Sequence, residues 1–261
     1  MLRAGCKVNE RGGVANIVDA LGIAPSGELV AIVGGGGKSS LMFALAGLLP
    51  GRGVMTTTTR IFSEQMSSAA EVCTLADADW RAQLDRFESG LLVVGRVEGE
   101  RAVGVEPGLP AEMLAHPRVD WVVVEADGSR MLPVKAPADH EPVVPEQTSL
   151  LVCVVGIDAL ADSIDRVAHR PERVADITGL APSEHLTPEA LGRLVSSPRG
   201  GLKGAPAGAR FAVLINKVES RAQREAAHRI ADSVLREARV ERVVIGALRG
   251  DLRAGWEARS R

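Results

Sequence analysis

Aromatic residues are scarce in this chain of 261 residues, which has no tyrosine and is 3% aromatic. Proteins that bind single-stranded nucleic acid stack bases on aromatic side chains, and this chain offers little material for such a surface. Net charge is also nearly absent, because 33 acidic and 31 basic residues leave a charge of −2. Such a charge creates no field that would hold nucleic acid non-specifically. We therefore expect no nucleic-acid partner.

The chain also has few cysteines and no long hydrophobic segment. Cys6, Cys73 and Cys153 are isolated and odd in number, with no C-x-x-C pair, so neither a disulfide framework nor a zinc site is predicted. No run of 18 uncharged apolar residues occurs, and the first residues lack the apolar core of a signal peptide. We expect a cytoplasmic protein with no membrane partner.

What the sequence does contain is ample apolar material, since 46% of the residues are hydrophobic. This content and length suit one α/β domain over residues 1–261, with a core at about 14–248 and a probable tail at 249–261.

The most informative stretch is ELVAIVGGGGKSSLMFALAGLL at residues 28–49. Its apolar run at 29–33 predicts a buried strand, and a helix is expected to begin near Lys38. The glycines between them permit positive φ and allow backbone N–H groups to turn inward around an anion. These candidate phosphate-binding residues are Gly34, Gly35, Gly36 and Gly37.

Lys38 and the serines that follow it complete a phosphate-binding pattern. The helix start favours an anion, Lys38 adds a full positive charge, and Ser39 is placed to bind Mg²⁺, with Ser40 beside it. The common pattern G-x-x-x-x-G-K-[ST] would need glycine where Ile32 stands, so the pattern present is the shorter G-x-x-G-K-S, a loop of the Mur-ligase kind. The alternative is a glycine-rich turn with an exposed lysine.

A second informative run, DWVVVEAD, predicts an apolar strand at 121–124 that delivers Glu125 and Asp127 to its carboxyl end. Acids in this position typically bind Mg²⁺ or orient the attacking water beside a P-loop. We expect Ser39 with Asp127 or Glu125 to hold the metal. The alternative is that these carboxylates cap the next element.

Threonines end a predicted strand at residues 53–58. This strand should end at the same sheet edge as the P-loop, so Thr58 or Thr59 is expected to reach Mg²⁺ or the γ-phosphate, with Arg60 as a further contact. Alternatively, these hydroxyl groups only satisfy neighbouring backbone groups.

A proline-rich loop follows the acidic strand, and its four prolines make it stiff and non-helical. Arg130, Lys135, His140 and Glu141 are the candidates for contact with a second substrate. Taken alone, His140 and Glu141 would more commonly be a solvated pair.

Another strand, at residues 211–215, leads into Asn216-Lys217-Val218-Glu219. GTPases use N-K-x-D after a strand to hold guanine, and here the acid is one methylene longer. Two interpretations stay open: Glu219 contacts the base, or it lies in the first turn of the next helix, where an acid is favoured.

The remaining patterns place helices and strands around these motifs. Helical spacing predicts helices at 14–21, 77–87, 109–116, 187–195 and 219–238, and apolar runs predict strands at 70–75, 91–97, 149–155 and 240–248. A turn at 98–100 adds an edge hairpin with 102–105, residues 165–181 should be loop with short helical turns, and 250–261 a frayed tail. The predicted fold is a P-loop NTPase-like three-layer α/β domain with a mostly parallel central sheet.

Together these motifs resemble the YqeC family. The segments that carry the resemblance span most of the chain: VGGGGKSS at 33–40, TTTTRIF at 56–62, EADGSR at 125–130, KAPADHEPVVP at 135–145, VVGIDAL at 154–160, HRPE at 169–172 and LINKVES at 214–220. EADGSR with KAPADHEPVVP is the specific part. The family usually has Lys-Thr after the glycines and Asp in place of Glu219, so Ser39 and Glu219 are departures.

The resemblance implies an intracellular accessory protein for maturation of a selenium-dependent molybdenum hydroxylase or its cofactor, either of which would be a partner. The motifs themselves predict binding and hydrolysis of ATP or GTP with Mg²⁺, with Lys38, Glu125 and Asp127 as the catalytic candidates. Two alternatives stay open. One is a Mur-like or kinase-like transferase acting on a small cofactor precursor, and the other is a non-hydrolysing, nucleotide-gated partner or chaperone of the hydroxylase.

Overall fold

Apolar strands that present side chains to both faces build the central sheet. A computed structural model describes residues 16–261 of the protein. In the first strand, Ala31 and Val33 pack into one buried cluster, whereas Val30 and Ile32 pack into another. Because both faces of the sheet are apolar, both must be covered, as in parallel sheets flanked by helices.

Fourteen strands occur in the described part of the chain: β1 (Glu28–Gly34), β2 (Gly53–Thr57), β3 (Arg60–Phe62), β4 (Glu71–Thr74), β5 (Leu91–Val94), β6 (Arg96–Glu98), β7 (Arg101–Val103), β8 (Trp121–Glu125), β9 (Val134–Lys135), β10 (Leu150–Gly156), β11 (Ala168–His169), β12 (Arg210–Asn216), β13 (Val240–Ile245) and β14 (Glu257–Ser260).

The α-helices between residues 16 and 261 are α1 (Ile17–Leu21), α2 (Lys38–Leu48), α3 (Trp80–Arg86), α4 (Leu109–Leu114), α5 (Ile164–Val167), α6 (Pro171–Thr178), α7 (Pro188–Ser196) and α8 (Arg221–Val234). Two short 3₁₀ helices cover Ser63–Ser68 and Ile157–Leu160. No helix in this part of the chain is long and apolar enough to cross a membrane.

Nine strands pair in the order β14-β13-β12-β10-β1-β8-β2-β5-β4. All neighbours are parallel except β13 and β14. The glycine-rich strand β1 lies in the middle, between β10 and the acid-bearing strand β8. The motifs that follow these strands therefore meet at one edge of the sheet.

Helices cover both faces of the sheet in three layers. On one face α1 and α2 contribute Leu21, Leu41 and Leu45 to a buried cluster with β1. On the other face α7 and α8 pack at one end of the sheet, through side chains such as Leu191 and Ile230, and α3 and α4 pack at the other end. The predicted P-loop NTPase-like three-layer fold is confirmed.

Three local predictions differ from the structure. The predicted hairpin of β6 and β7 forms, but β7 also pairs with β3, so the three strands make a separate antiparallel sheet instead of extending the central one. Part of the predicted loop at 165–181 is the two-turn helix α6, which begins with a proline at its first turn. The predicted helix at 14–21 begins at Ile17, because Asn16 caps it; residues 14 and 15, and Cys6, lie outside the described residues.

The predicted frayed tail is also wrong for its last residues. Residues Glu257–Ser260 form β14, which pairs antiparallel with β13 at the edge of the sheet. Trp256, directly before this strand, is 2% exposed and packs with Leu214 and Val244. Burial of this indole anchors the end of the chain, and one aromatic residue in a polar stretch is too weak a sequence pattern to predict it.

Candidate functional site

The carboxyl ends of the parallel strands form the floor of a cleft of about 680 Å³. The segments that follow β1, β2, β8, β12 and β13 all line it. Ligands of open α/β sheets bind at this edge. Of the lining residues, all within the described chain, seven are Lys or Arg and three are Glu, although the whole protein has a net charge of −2. The cleft therefore suits a polyanionic ligand.

The glycine run between β1 and α2 has backbone conformations that require glycine. Gly34, Gly36 and Gly37 have φ values of 94°, 79° and 136°, a region that residues with a Cβ rarely adopt. A Cβ on Gly36 would lie 2.4 Å from the backbone nitrogen of Gly156. This close approach of the loop to the end of β10 fixes where α2 begins.

Three N–H groups of the glycine run bond within the protein. Those of Gly34, Gly35 and Gly36 donate to an Asp127 carboxylate oxygen and to two backbone carbonyl groups, at 2.9–3.1 Å. This corrects the expectation that the glycines turn these groups toward an anion. The N–H groups left for a ligand belong to the first turn of α2, where Gly37 is the N-cap and no side chain caps the helix.

Lys38 lies at the centre of the site and is 4% exposed. Its Nζ donates to the carbonyl oxygen of Gly34 (2.9 Å) and to Ser129 Oγ (3.1 Å). The same nitrogen lies 3.4 Å from Asp127 Oδ1 and 3.7 Å from Glu125 Oε1. The two acids delivered by β8 thus hold the ammonium group beside the start of α2.

Ser39 links the start of α2 to the end of β8. Its hydroxyl group donates to Glu125 Oε2 (2.6 Å) and accepts a hydrogen bond from Gln65 Nε2 (2.9 Å). Burial raises the pKa of Glu125, and the charge of Lys38 and the hydrogen bond from Ser39 oppose part of that rise. A buried carboxylate beside a hydroxyl group is a pair of hard oxygen donors.

Asp127 lies behind the glycine run instead of in the cleft. It is 2% exposed, and its Oδ2 accepts a hydrogen bond from the Gly34 N–H and forms an ion pair with Lys135 Nζ at 3.1 Å. Its Oδ1 is buried and has no hydrogen-bond partner in the described chain, although Lys38 is close. Asp127 therefore holds the glycine-rich loop and Lys38 in position.

A chain of ion pairs continues from Asp127 to the cleft wall. Lys135 Nζ also donates to Glu141 Oε2 (2.7 Å), and the guanidinium of Arg170 binds both oxygens of Glu141 at 2.8 and 3.0 Å. Burial of the Glu141 carboxyl acts to raise its pKa, but the hydrogen bonds and charges of Lys135 and Arg170 prevail and lower it to about 2. Burial, together with the charges of Arg170 and Lys135, lowers the pKa of His169.

The donor set of this site fits Mg²⁺ only as a partial coordination shell. Within residues 16–261, no group of three or more His, Cys, Asp or Glu side chains is arranged to hold a metal ion. Mg²⁺ commonly binds one or two protein oxygens and completes its octahedron with water and substrate phosphates. Ser39 and Glu125 supply such a pair at the cleft, whereas Asp127 lies behind the loop.

Most of the predicted site residues come together in this cleft. Those that line it are Gly36, Gly37, Lys38, Ser39, Ser40, Thr59, Arg60, Glu125, Arg130, His140, Glu141, Asn216, Lys217 and Glu219.

The other predicted residues stabilise the site from behind. Thr58 Oγ1 donates to the carbonyl oxygen of Val143 (2.6 Å) and so ties the end of β2 to the proline-rich loop. Lys135 is 5% exposed and bridges two acids. Gly34 lies beneath the start of α2 and accepts a hydrogen bond from the Lys38 ammonium group.

Sequence reasoning missed several residues of the cleft. Ser129 binds Lys38, Gln65 binds Ser39, and Arg101 lines the cleft with its guanidinium over the ring of Phe62. Their positions depend on how loops fold over the sheet edge, which no periodicity encodes. His169 and Arg170 also line the cleft, and the segment HRPE had already marked them as part of the resemblance.

Backbone strain is concentrated around the cleft. Within residues 16–261, four residues other than glycine have positive φ, and all of them line the cleft: Arg130 (51°), Met131 (64°), Arg170 (67°) and Lys217 (66°). Such conformations cost on the order of 1 kcal/mol or more each and cluster at ligand-binding sites. This distribution is a second, independent reason to regard the cleft as the candidate functional site.

The fold and the glycine-lysine loop together define a protein of the P-loop NTPase-like class. The family described as YqeC protein matches residues 30–172 of the chain. The uncharacterized protein YqeC of Escherichia coli (strain K12) is 33% identical over 212 residues, which cover 78% of this chain and 80% of that protein. The chain belongs to the YqeC family.

Proposed function

We propose that the protein binds a nucleoside triphosphate with Mg²⁺ in the cleft and hydrolyses it. The observation that carries this proposal is the position of Lys38, whose ammonium group lies between the uncapped start of α2 and the acids of β8. Backbone N–H groups, a helix dipole and a lysine cation at one point are the elements that bind β- and γ-phosphates.

Each residue of the site has a role in this scheme. Lys38 would exchange its bonds to Gly34 and Ser129 for phosphate oxygens, which carry more negative charge. Ser39 and Glu125 would hold Mg²⁺, which neutralises the phosphate charge that develops during transfer. Asp127 is a positioning residue, since it fixes the Gly34 N–H and the Lys38 ammonium group.

The experiment measures binding of ATP and GTP with Mg²⁺, followed by phosphate release in a single turnover, for the wild type and Glu125→Gln. We expect the wild type to bind and release phosphate, and the variant to bind but release it at least tenfold more slowly. If the wild type binds neither nucleotide, the proposal is wrong.

Transfer to an acceptor is the second candidate function. It is supported by the extent of the cleft, which continues beyond the P-loop to Arg130, His140 and His169. A Mur-like or kinase-like transferase would release nucleoside diphosphate only when the acceptor is added. Hydrolysis to inorganic phosphate without an acceptor favours the first proposal.

The biological role we propose rests on the YqeC family resemblance. The protein would act in the cytoplasm as an accessory factor in maturation of a selenium-dependent molybdenum hydroxylase or its cofactor. Nucleotide that stays bound without turnover, together with co-purification of the hydroxylase, would instead support a nucleotide-gated chaperone. Co-purification in the presence and absence of GTP or ATP tests the partnership directly.

A further inference from the structure

The wall of the cleft on the β12 side is built from two neighbouring strand ends. β12 is separated from the glycine-rich strand β1 by β10 alone, and β13 lies next to β12. Asn216 and Lys217 extend from the end of β12, and Ala247 and Leu248 follow β13. All four line the cleft, so a base attached to phosphates at α2 has this wall within reach.

Asn216 connects this wall to the phosphate-binding loop. Its Nδ2 donates to the carbonyl oxygen of Gly36 (2.8 Å), and its Oδ1 accepts from the N–H of Leu248 (2.9 Å). The side chain is 3% exposed, so both hydrogen bonds are protected from water. One amide thus fixes the glycine run and the turn after β13 in a single arrangement.

Lys217 and Glu219 present the groups that could recognise a base. Lys217 has a φ of 66°, and Asp158 Oδ2 holds its Nζ at 2.6 Å, which keeps its methylene stem along the cleft wall. Glu219 lies just before the N-cap Ser220 of α8, so its carboxylate is not part of the helix. It is exposed and lines the cleft, and no hydrogen-bond or ion-pair partner of this carboxylate occurs within residues 16–261.

We infer that this wall selects guanine, an inference that rests on the proposed nucleotide binding. The two carboxylate oxygens of Glu219 accept the N1–H and the exocyclic 2-amino group of guanine, and the stem of Lys217 packs on the ring. Adenine presents a ring acceptor at the corresponding position, so a carboxylate would face a lone pair. The side chain of Glu219 reaches one methylene further than aspartate would, and its exposed position leaves room for that length.

The turn after β13 could contact the 6-oxo group of a guanine whose N1–H and 2-amino group face Glu219. The N–H of Ala247 has no acceptor within residues 16–261 and lies on the residue before Leu248, which Asn216 fixes. A free N–H on a fixed turn can donate to the 6-oxo group of guanine, whereas adenine has an amino donor there. Base recognition therefore uses the carboxylate of Glu219 as acceptor and the N–H of Ala247 as donor, and Asn216 lies between these two segments.

The test compares equilibrium binding of GTP, ATP and xanthosine triphosphate to the wild type, Glu219→Gln and Glu219→Ala. Glu241→Gln serves as a matched control, because Glu241 is exposed on β13 and does not line the cleft. Xanthine keeps the N1–H but has an oxygen in place of the 2-amino group, so a carboxamide is its complement.

We expect the wild type and Glu241→Gln to bind GTP at least about tenfold more tightly than ATP. Glu219→Gln should lose about tenfold or more in GTP affinity and gain affinity for xanthosine triphosphate. Glu219→Ala should lose GTP affinity without gaining affinity for xanthosine triphosphate. Equal wild-type affinity for GTP and ATP, or unchanged selectivity in Glu219→Gln, would overturn guanine selection but leave nucleotide binding intact. Failure to bind any of the three would overturn both.

Discussion

Ser39 Oγ lies 2.6 Å from Glu125 Oε2, which joins the first turn of α2 to the end of β8. The hydroxyl group also accepts a hydrogen bond from Gln65. The contact places a helix start and a strand end, which are 86 residues apart in sequence, at the same point of the cleft. On the proposed function, this is where Mg²⁺ meets the protein.

Ser39→Ala should lower Mg²⁺-dependent turnover by about tenfold or more at neutral pH, because a metal ligand is lost. The pKa of Glu125 is already raised by burial, and the hydrogen bond from Ser39 opposes that rise. Turnover that needs ionised Glu125 should therefore fall as pH decreases through its pKa, and the variant should lose activity at a higher pH than the wild type. Ser68→Ala is the control, because Ser68 is exposed and does not line the cleft, and pH–rate profiles measure the effect. Identical profiles for Ser39→Ala and the wild type would contradict the assignment.

Gly36→Ala should destabilise the protein by about 1–3 kcal/mol and abolish tight nucleotide binding, because a Cβ would collide with the backbone of Gly156 at a positive φ. Gly47→Ala is the matched control, because Gly47 lies in α2, the helix that follows the glycine run. Gly47 is exposed near the end of α2, and nothing lies within 4 Å of its added Cβ. This control should stabilise the protein by up to about 1 kcal/mol, through helix propensity. Denaturant unfolding measures both changes, and a tolerated Gly36→Ala would disprove the packing described for the loop.

Glu141→Gln should cost about 1–3 kcal/mol at pH 7, since it removes the carboxylate that binds Lys135 and Arg170. The pKa of Glu141 is lowered from 4.5 to about 2 in the folded protein. The contribution of ionised Glu141 to the free energy of unfolding is therefore fully present above the unfolded-state pKa, and it is lost as pH falls from about 4.5 towards 2. Urea unfolding of both proteins across this range should show their difference in stability shrinking. A difference that is independent of pH would show that the ion pairs do not stabilise the fold.

Trp256→Ala should destabilise the protein by about 3–5 kcal/mol, because a fully buried indole is lost from the cluster that contains Leu214. Trp80→Ala is the control, since Trp80 is only partly buried on α3 and should cost less. Thermal unfolding followed by circular dichroism compares the two. A smaller loss of stability in Trp256→Ala than in Trp80→Ala would contradict the conclusion that Trp256 anchors β14.

The central part of the fold could be predicted because its strands carry strong local patterns. The apolar run at 29–33 and the strand at 121–124 were placed within one residue of β1 and β8. β14 was missed because its residues, EARS, are mostly polar and lie on an edge strand. That pairing depends on Trp256 and the neighbouring strand, which local pattern does not show.

For the site, the sequence indicated which residue types meet at the sheet edge but not which of them face the cleft. Glu125 and Asp127 are two residues apart on the same strand end, yet Glu125 lines the cleft and Asp127 lies behind the glycine run. Lys135 was expected to face a second substrate, and the fold instead buries it between two acids. These distinctions arise from loop packing between distant segments.

The most direct test of the account is binding and turnover of Mg²⁺-GTP and Mg²⁺-ATP by the wild type beside Lys38→Ala. Lys203→Ala is the control, since Lys203 does not line the cleft and binds only the backbone carbonyl groups of Ala138 and Asp139. Circular dichroism verifies that each variant is folded. We predict that Lys38→Ala weakens binding at least tenfold and abolishes turnover, whereas Lys203→Ala retains both. Equal binding and turnover in the wild type and a folded Lys38→Ala would contradict the account.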